Sequence, residues 1–215
     1  MLVKERMSRH PITIRPDTPL NEALRIMRDE KVRRLPVVDK AGTLVGIVLE
    51  KDLLYASPSP ATSLSVYELN YLVSRIKVEG LMTRDVVTVA EACSLEEAAR
   101  IMADNNIGGL PVMRDGTLVG MITESDLFKV FLELLGARDW GIRVTVRVPD
   151  QRGMLARLAQ AISTTGADIV ALSTFWGDDP SNREIVIKVQ GIDQQEMRRI
   201  VDSLGAVLVD IRETQ

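Results

Sequence analysis

Cysteine and histidine are nearly missing from this chain, which holds one of each, Cys93 and His10. A lone cysteine closes no intramolecular disulfide, and one cysteine with one histidine builds no structural zinc site. Long apolar runs are missing as well. The opening MLVKERMSRH carries a charge every few positions and has no apolar segment of signal-peptide length; no later run approaches a membrane span. The expected location is the cytoplasm, with no membrane partner. Neither sign of charge dominates: 27 Lys+Arg stand against 30 Asp+Glu, for a formal net charge of -3. No strongly basic surface therefore draws nucleic acid by counterion release, and nucleic acid is not an expected partner.

Catalytic spacings are absent too. The sequence has no GxxxxGK followed by Ser or Thr, no GxSxG, no HExxH and no CxxC. The common arrangements for phosphoryl transfer, acyl transfer and metal hydrolysis are thereby missing. Cys93, just before a helix, reads as a packing residue. His10, ahead of a proline in a turn, reads on its own as a solvated one. No catalytic residue, metal or catalytic cofactor is assigned, and the chain is read as non-enzymatic.

What is present is a repeat. The 215 residues, 46% hydrophobic, suffice for one large or two small domains. Adding 75 takes Met7 to Met82, Thr13 to Thr88, Leu20 to Leu95, Ala23 to Ala98, Met27 to Met102, Leu35 to Leu110 and Pro36 to Pro111. After a one-residue deletion, adding 74 takes Gly46 to Gly120 and Asp52 to Asp126. Leu20, Ala23, Leu24 and Met27 recur at helical spacing behind Thr18-Pro19, a favourable cap and first-turn pair. In the second copy Ser94 and Glu97 suit a capping box ahead of Leu95, Ala98, Ala99 and Met102. LPVVDKAGTLVGIV and LPVMRDGTLVGMI each read as two short strands around a turn. Each copy is thus strand, helix, strand, strand, helix. A single copy has a thin core, so the two are expected to fold against one another.

The expected boundaries are residues 1–56 and 79–136 for the copies, with a linker at 57–78. ASPSPATS is its Pro/Ser-rich break, and Leu64, Tyr67, Leu69, Tyr71 and Leu72 suggest a connecting helix. A different domain occupies 140–215. IRVTVRV sets Ile142, Val144, Val146 and Val148 on one face. Met154, Leu155, Leu158, Ala159 and Ile162 give a helix stopping at Gly166. ADIVALSTF and REIVIKV flank the loop WGDDPSN as a hairpin. Asp193 and Glu196 cap a second helix carrying Met197, Ile200, Val201 and Leu204, before the strand AVLVDI. This βαββαβ order predicts a ferredoxin-like sandwich, and the whole chain is of α/β (α+β) class.

The doubled pattern, with LPV in each copy and GxxTxxD or GxxLxxD before the last helix, resembles the CBS domain, which pairs in tandem as a Bateman module. The resemblance implies an adenine nucleotide or related adenosyl ligand, bound as a regulatory ligand in clefts between the copies. The aspartate would accept from the ribose hydroxyls, and the hydroxyl three residues earlier would contact ribose or phosphate. Carried over, one cleft uses Thr123 and Asp126, with Met121 on the base. It also takes His10, Pro11 and Ile12 and the strand entry Val32, Arg33, Arg34, Leu35 and Pro36. The arginines suit a phosphate by charge and fork geometry. The other cleft uses Ile47 and Asp52 with Asp85, Val86, Val87, Ile107, Gly108, Gly109 and Leu110. It has Leu49 in place of the hydroxyl and two glycines in place of the arginines, so the first is expected to be better equipped for a phosphorylated ligand. Asp52 and Asp126 are also readable as plain helix caps.

PDQRGMLARLAQAI with GADIVALS resembles the ACT domain, over about 140–215. That implies a small-molecule or amino-acid effector at the loop Asp150 to Leu155, with Gly153, Met154 and Leu155, faced by Asp168 and Ile169 of a partner. Gly153 also fits a plain tight turn, and Asp168 stands where amino-acid-binding members often carry Asn. The full arrangement resembles the acetoin-utilisation accessory protein family. It implies a homodimeric sensor, with a ligand-free scaffold or a subunit of a metabolic enzyme complex as the alternatives.

Overall fold

The computed structural model describes residues 1–56, 75–177, 179 and 181–214. The Pro/Ser-rich break after Ala56 and the connecting helix expected behind it lie outside those residues, up to position 74. The chain divides into two compact units, Met1–Leu127 and Phe128–Gln215.

In the first unit, copy one runs β1 (Ser8–Arg9), α1 (Leu20–Asp29), β2 (Arg34–Val38), β3 (Leu44–Leu49) and α2 (Glu50–Ala56). Copy two runs β4 (Val89–Ala90), α3 (Leu95–Asp104), β5 (Gly109–Arg114), β6 (Thr117–Thr123) and α4 (Glu124–Leu134), of which the residues up to Leu127 belong to this unit. The two hairpins explain why the offset drops from 75 to 74. Copy two turns through Asp115 (φ 47°) and Gly116 (φ 77°), the Asp-Gly pair that a tight two-residue turn favours. Copy one is one residue longer, and Asp39 Oδ1 accepts from the N–H groups of Ala41 and Thr43 at 2.9 Å each.

The copies are interlocked through their opening segments. One sheet has the order β1-β6-β5-β4, with Ser8 opposite Met121 and Arg9 opposite Gly120. In the other, β2 pairs with β3, Ile14 bridges to Val37, and Thr83 bridges to Ile47. Thus the start of copy one completes the sheet of copy two, and the start of copy two completes the sheet of copy one. Backbone bonds repeat the exchange: Val3 N donates to Cys93 O at 2.9 Å, and Val78 N to Thr18 O at 3.0 Å. Val78 and Met82 are buried in one core with Leu20, Met27, Leu35, Val37 and Val48. Each such fully buried side chain contributes about 1.5–3 kcal/mol. The crossing strands approach closely over two glycines. A Cβ on Gly46 would stand 2.5 Å from Met82 Sδ, and one on Gly120 would stand 2.6 Å from Met7 Sδ.

The exchange also corrects one cap. Pro19, not Thr18, holds the cap position of α1, with no side-chain bond. The N–H of Leu20 donates to Ile76 O at 2.9 Å instead, so backbone from the segment leading into the other copy replaces the missing cap. In α3 only half of the expected box forms. Ser94 Oγ accepts from Glu97 N at 3.2 Å, while the Glu97 carboxylate pairs with Arg100.

The second unit contains β7 (Gly141–Pro149), α5 (Met154–Ser163), β8 (Asp168–Trp176), β9 (Asn182–Gln190), α6 (Gln194–Ser203) and β10 (Val207–Thr214). Its antiparallel sheet has the order β10-β7-β9-β8, the ferredoxin-like arrangement. Ile142, Val144, Val146 and Val148 fill the face under both helices with Leu158, Ile162, Met197 and Val201. Leu155, expected in that stripe, is exposed. The other face mixes charged and apolar side chains: Arg143 pairs with Asp210 and Arg147 with Glu184, Phe175 and Val207 stand exposed opposite Glu184 and Arg147, and buried Lys188 donates to Gly136 O at 2.7 Å.

Candidate functional site

The exchanged segments bring β3, the stretch after Thr83 and the entry of β5 to one place. There a cavity of about 110 Å³ is lined by Ile47, Leu49, Thr83, Asp85, Val86, Val87, Ile107, Gly108, Gly109, Pro111 and Arg34. Seven of the residues expected at the second cleft thus stand together: Ile47, Asp85, Val86, Val87, Ile107, Gly108 and Gly109. Leu110 does not join them. It is fully buried in the core, because alternate strand residues face opposite ways and Gly109 and Pro111 take the cleft side. Asp52 is in the first turn of α2, outside the lining, and its carboxylate makes no hydrogen bond or ion pair among the described residues. Thr83 was not foreseen; the signal was its hydroxyl counterpart, Ser8, at the 75-residue offset.

Arg34 corrects the expectation that the second cleft has neither arginine. Its guanidinium lies over Gly108 and Gly109, so close that a Cβ on Gly109 would collide with Nη1, and one on Gly108 would stand 2.9 Å from Nη2. Nη1 is buried and has no hydrogen-bond partner among the described residues. Burial lowers the pKa of Arg34; nearby Glu124 opposes that shift, and Arg33 adds to it. Arg33 is exposed.

The lining of the second cavity, moved by the repeat offsets, becomes Met121, Thr123, Ser8, His10, Pro11, Ile12, Val32, Arg33 and Pro36, with Arg34 in the place of Gly109. All but Ser8 belong to the set expected at the first cleft. Met121 lies on β6 opposite Ser8, two residues before His10. His10 takes a left-handed conformation, φ 54°, which is uncommon outside glycine. Leu35 is fully buried in the core beneath. Thr123 Oγ1 donates to Asp126 Oδ2 at 2.7 Å, and Thr123 N donates to the same oxygen at 3.1 Å. This is the returning half of a capping box at the start of α4. The hydroxyl and the aspartate therefore form one unit, and the cap reading and the ligand reading share the same atoms.

In the second unit, a cavity of about 300 Å³ opens at the start of α5, lined by Val148, Pro149, Asp150, Gln151, Gly153, Met154, Leu155, Thr174, Arg183 and Ile185. It gathers Asp150, Gly153, Met154 and Leu155 as expected. Asp168 and Ile169 stand at the far end of β8, six residues or about 20 Å from Thr174 along the strand. Gly153 has φ 84° and open space around its missing Cβ, so it serves the turn into α5 rather than a close approach. Two further residues supply charge and a reporter: Arg183 Nε donates to Asp150 Oδ1 at 3.2 Å, and its Cζ lies 3.5 Å from the centroid of Trp176. Among the described residues no cluster of His, Cys, Asp and Glu could hold a metal ion, and no helix is long and apolar enough to cross a membrane.

The CBS domain family matches residues 3–59 and 78–133, more than half of the chain, and a TTHA0829-like ACT domain matches 140–212. The chain belongs to the CBS domain family. In particular, it carries two CBS domains in tandem and a C-terminal ACT domain of the TTHA0829-like type. An AcuB acetoin utilization protein from Vibrio cholerae is 34% identical, with a TM-score of 0.53, over 65% of this chain and 96% of that one. The CBS domain pair of MJ0100, in complex with 5-methylthioadenosine and S-adenosyl-L-methionine, is 31% identical, with a TM-score of 0.51, over 61% and 95%. CBSX2 in complex with AMP is 32% identical, with a TM-score of 0.50, over 61% and 96%.

Proposed function

We propose that this chain is a non-catalytic sensor that binds an adenine nucleotide or related adenosyl ligand in its CBS pair. One observation carries the reading: the exchanged segments gather the Ile47, Asp85, Val86 and Ile107 set into one cavity, and the repeat offsets relate Met121, Thr123 and the His10 stretch to that lining. Relatives holding AMP and S-adenosyl-L-methionine support the ligand class. Occupancy biases the arrangement of a homodimer, since a ligand shifts an equilibrium only by preferring one state. A small metabolite or amino acid in the Asp150–Arg183 pocket responds to the same equilibrium, reciprocally. The pathway served is acetoin-type or other central metabolism. Ligand-stripped protein is expected to melt at higher temperature with AMP, by mass action, and to change its scattering profile. An unchanged profile at saturating AMP defeats the coupling.

The Thr123–Asp126 bonds favour a second reading, in which this aspartate only caps α4 and the module is a docking scaffold or a subunit of a metabolic enzyme complex. No melting shift with any adenosyl ligand, together with co-purification of a partner enzyme, selects it.

A further inference from the structure

The guanidinium of Arg34 occupies a place that its position in the repeat does not explain. By the 75-residue offset Arg34 matches Gly109, whose backbone lines the second cleft; the Arg34 backbone holds the corresponding place at the first. Its guanidinium nevertheless lies in the second, across Gly108 and Gly109. Neither glycine has positive φ, so conformation does not require them. What they supply is room. A Cβ on Gly108 would stand 2.6 Å from Glu124 Oε2 and 2.9 Å from Arg34 Nη2. The space left beside the guanidinium is about 110 Å³, well below the roughly 300 Å³ at which small-molecule sites begin.

The side chain is also held there weakly. Nη1 is buried without an acceptor among the described residues, which disfavours this position. Glu124 attracts the guanidinium and Arg33 repels it. A charged fork in this state binds a phosphate strongly wherever one comes within reach.

We propose that Arg34 closes the second cleft and that a phosphate bound in the first cleft draws it out, so that the two clefts fill in order. This rests on the reading of the CBS pair as an adenosine-ligand site. A phosphate beside Arg33 gives Nη1 the acceptor it lacks, and withdrawal of the guanidinium frees the volume over Gly108 and Gly109. Adenosine, with no phosphate, fills the first cleft and leaves the second closed.

Isothermal titration of the ligand-stripped full chain with AMP and with adenosine tests this. Wild type is expected to take two AMP but one adenosine per chain. Arg34→Ala and Arg34→Ser each remove the plug; each is expected to take two adenosines. Two adenosines on wild type, one AMP on wild type, or one adenosine on Arg34→Ala overturns the proposal while leaving the adenosine-ligand reading intact. Failure of wild type and both variants to bind either compound refutes that reading, and this proposal with it.

Discussion

Gly120→Ala tests the interlocking of the two CBS copies at a single methyl group. The new Cβ would stand 2.6 Å from Met7 Sδ, 3.1 Å from Met7 Cγ and 2.9 Å from the backbone oxygen of Ser8. Favourable carbon contacts lie near 3.5–4.0 Å, so β1 must retreat by roughly 1 Å, and overpacking of this kind costs about 1–3 kcal/mol. Gly46→Ala meets Met82 in the same way and is expected to cost as much. Gly80→Ala is the control: nothing lies within 4 Å of its Cβ and its φ is not positive, so it is expected to gain about 0.4–1 kcal/mol. Met7→Ala alone costs about 2–5 kcal/mol. In that background Gly120→Ala keeps only its clash with Ser8, giving a coupling of about 1 kcal/mol or more. Urea unfolding should be followed by far-ultraviolet circular dichroism, because both tryptophans, Trp140 and Trp176, belong to the second unit. Additivity of Met7→Ala and Gly120→Ala within about 0.5 kcal/mol would refute the crossing contact.

Three further outcomes follow from particular contacts. Asp126→Ala and Thr123→Val should each lower stability by about 0.5–2 kcal/mol through loss of the α4 cap, whereas Asp52→Ala should stay within about 0.5 kcal/mol; equal losses at Asp52 and Asp126 contradict the asymmetry. Arg114 bonds Glu91 through two contacts of 2.6 Å and holds its carboxyl below the usual glutamate range, chiefly by that hydrogen bonding. A depressed folded pKa stabilises above the unfolded value, and the gain is lost as pH falls through the folded one. The stability difference between wild type and Arg114→Met should therefore be present at neutral pH and close in acid, and a difference that is flat with pH refutes the pairing. An effector entering the Asp150–Arg183 pocket should alter the fluorescence of Trp176, which Arg183 covers, and Arg183→Gln should abolish the response; an unaltered response in the variant places the effector elsewhere.

The repeat was readable because duplication preserves residue type and spacing together, and the βαββαβ order of the second unit because its strands and helices alternate periods cleanly. The exchange was not readable. A 75-residue offset is identical whichever copy the Met7 and Met82 segments complete, and only the pairing of Ser8 with Met121 and Thr83 with Ile47 decides it. For the same reason the α1 cap was misplaced at Thr18: the acceptor for Leu20 comes from Ile76, far away in sequence. Most of the second-cleft residues were legible from motif position. Leu35 and Leu110 were not separated from their neighbours because a motif names a run, while strand alternation turns every second side chain into the core. Arg34 was assigned by its backbone, and a long side chain can serve a site other than the one its backbone borders. Thr174 and Arg183 join the ACT pocket through strand register, which no local spacing reveals.

Whether an adenosine ligand occupies the CBS pair is decided by isothermal titration of ligand-stripped protein with AMP, ADP, ATP, NADH and S-adenosylmethionine. Saturable binding of at least one of these is expected, lost with Asp126→Ala in a variant that keeps its fold by circular dichroism. Absence of heat and of any thermal shift with all five, or binding unchanged in Asp126→Ala and Asp52→Ala alike, contradicts it.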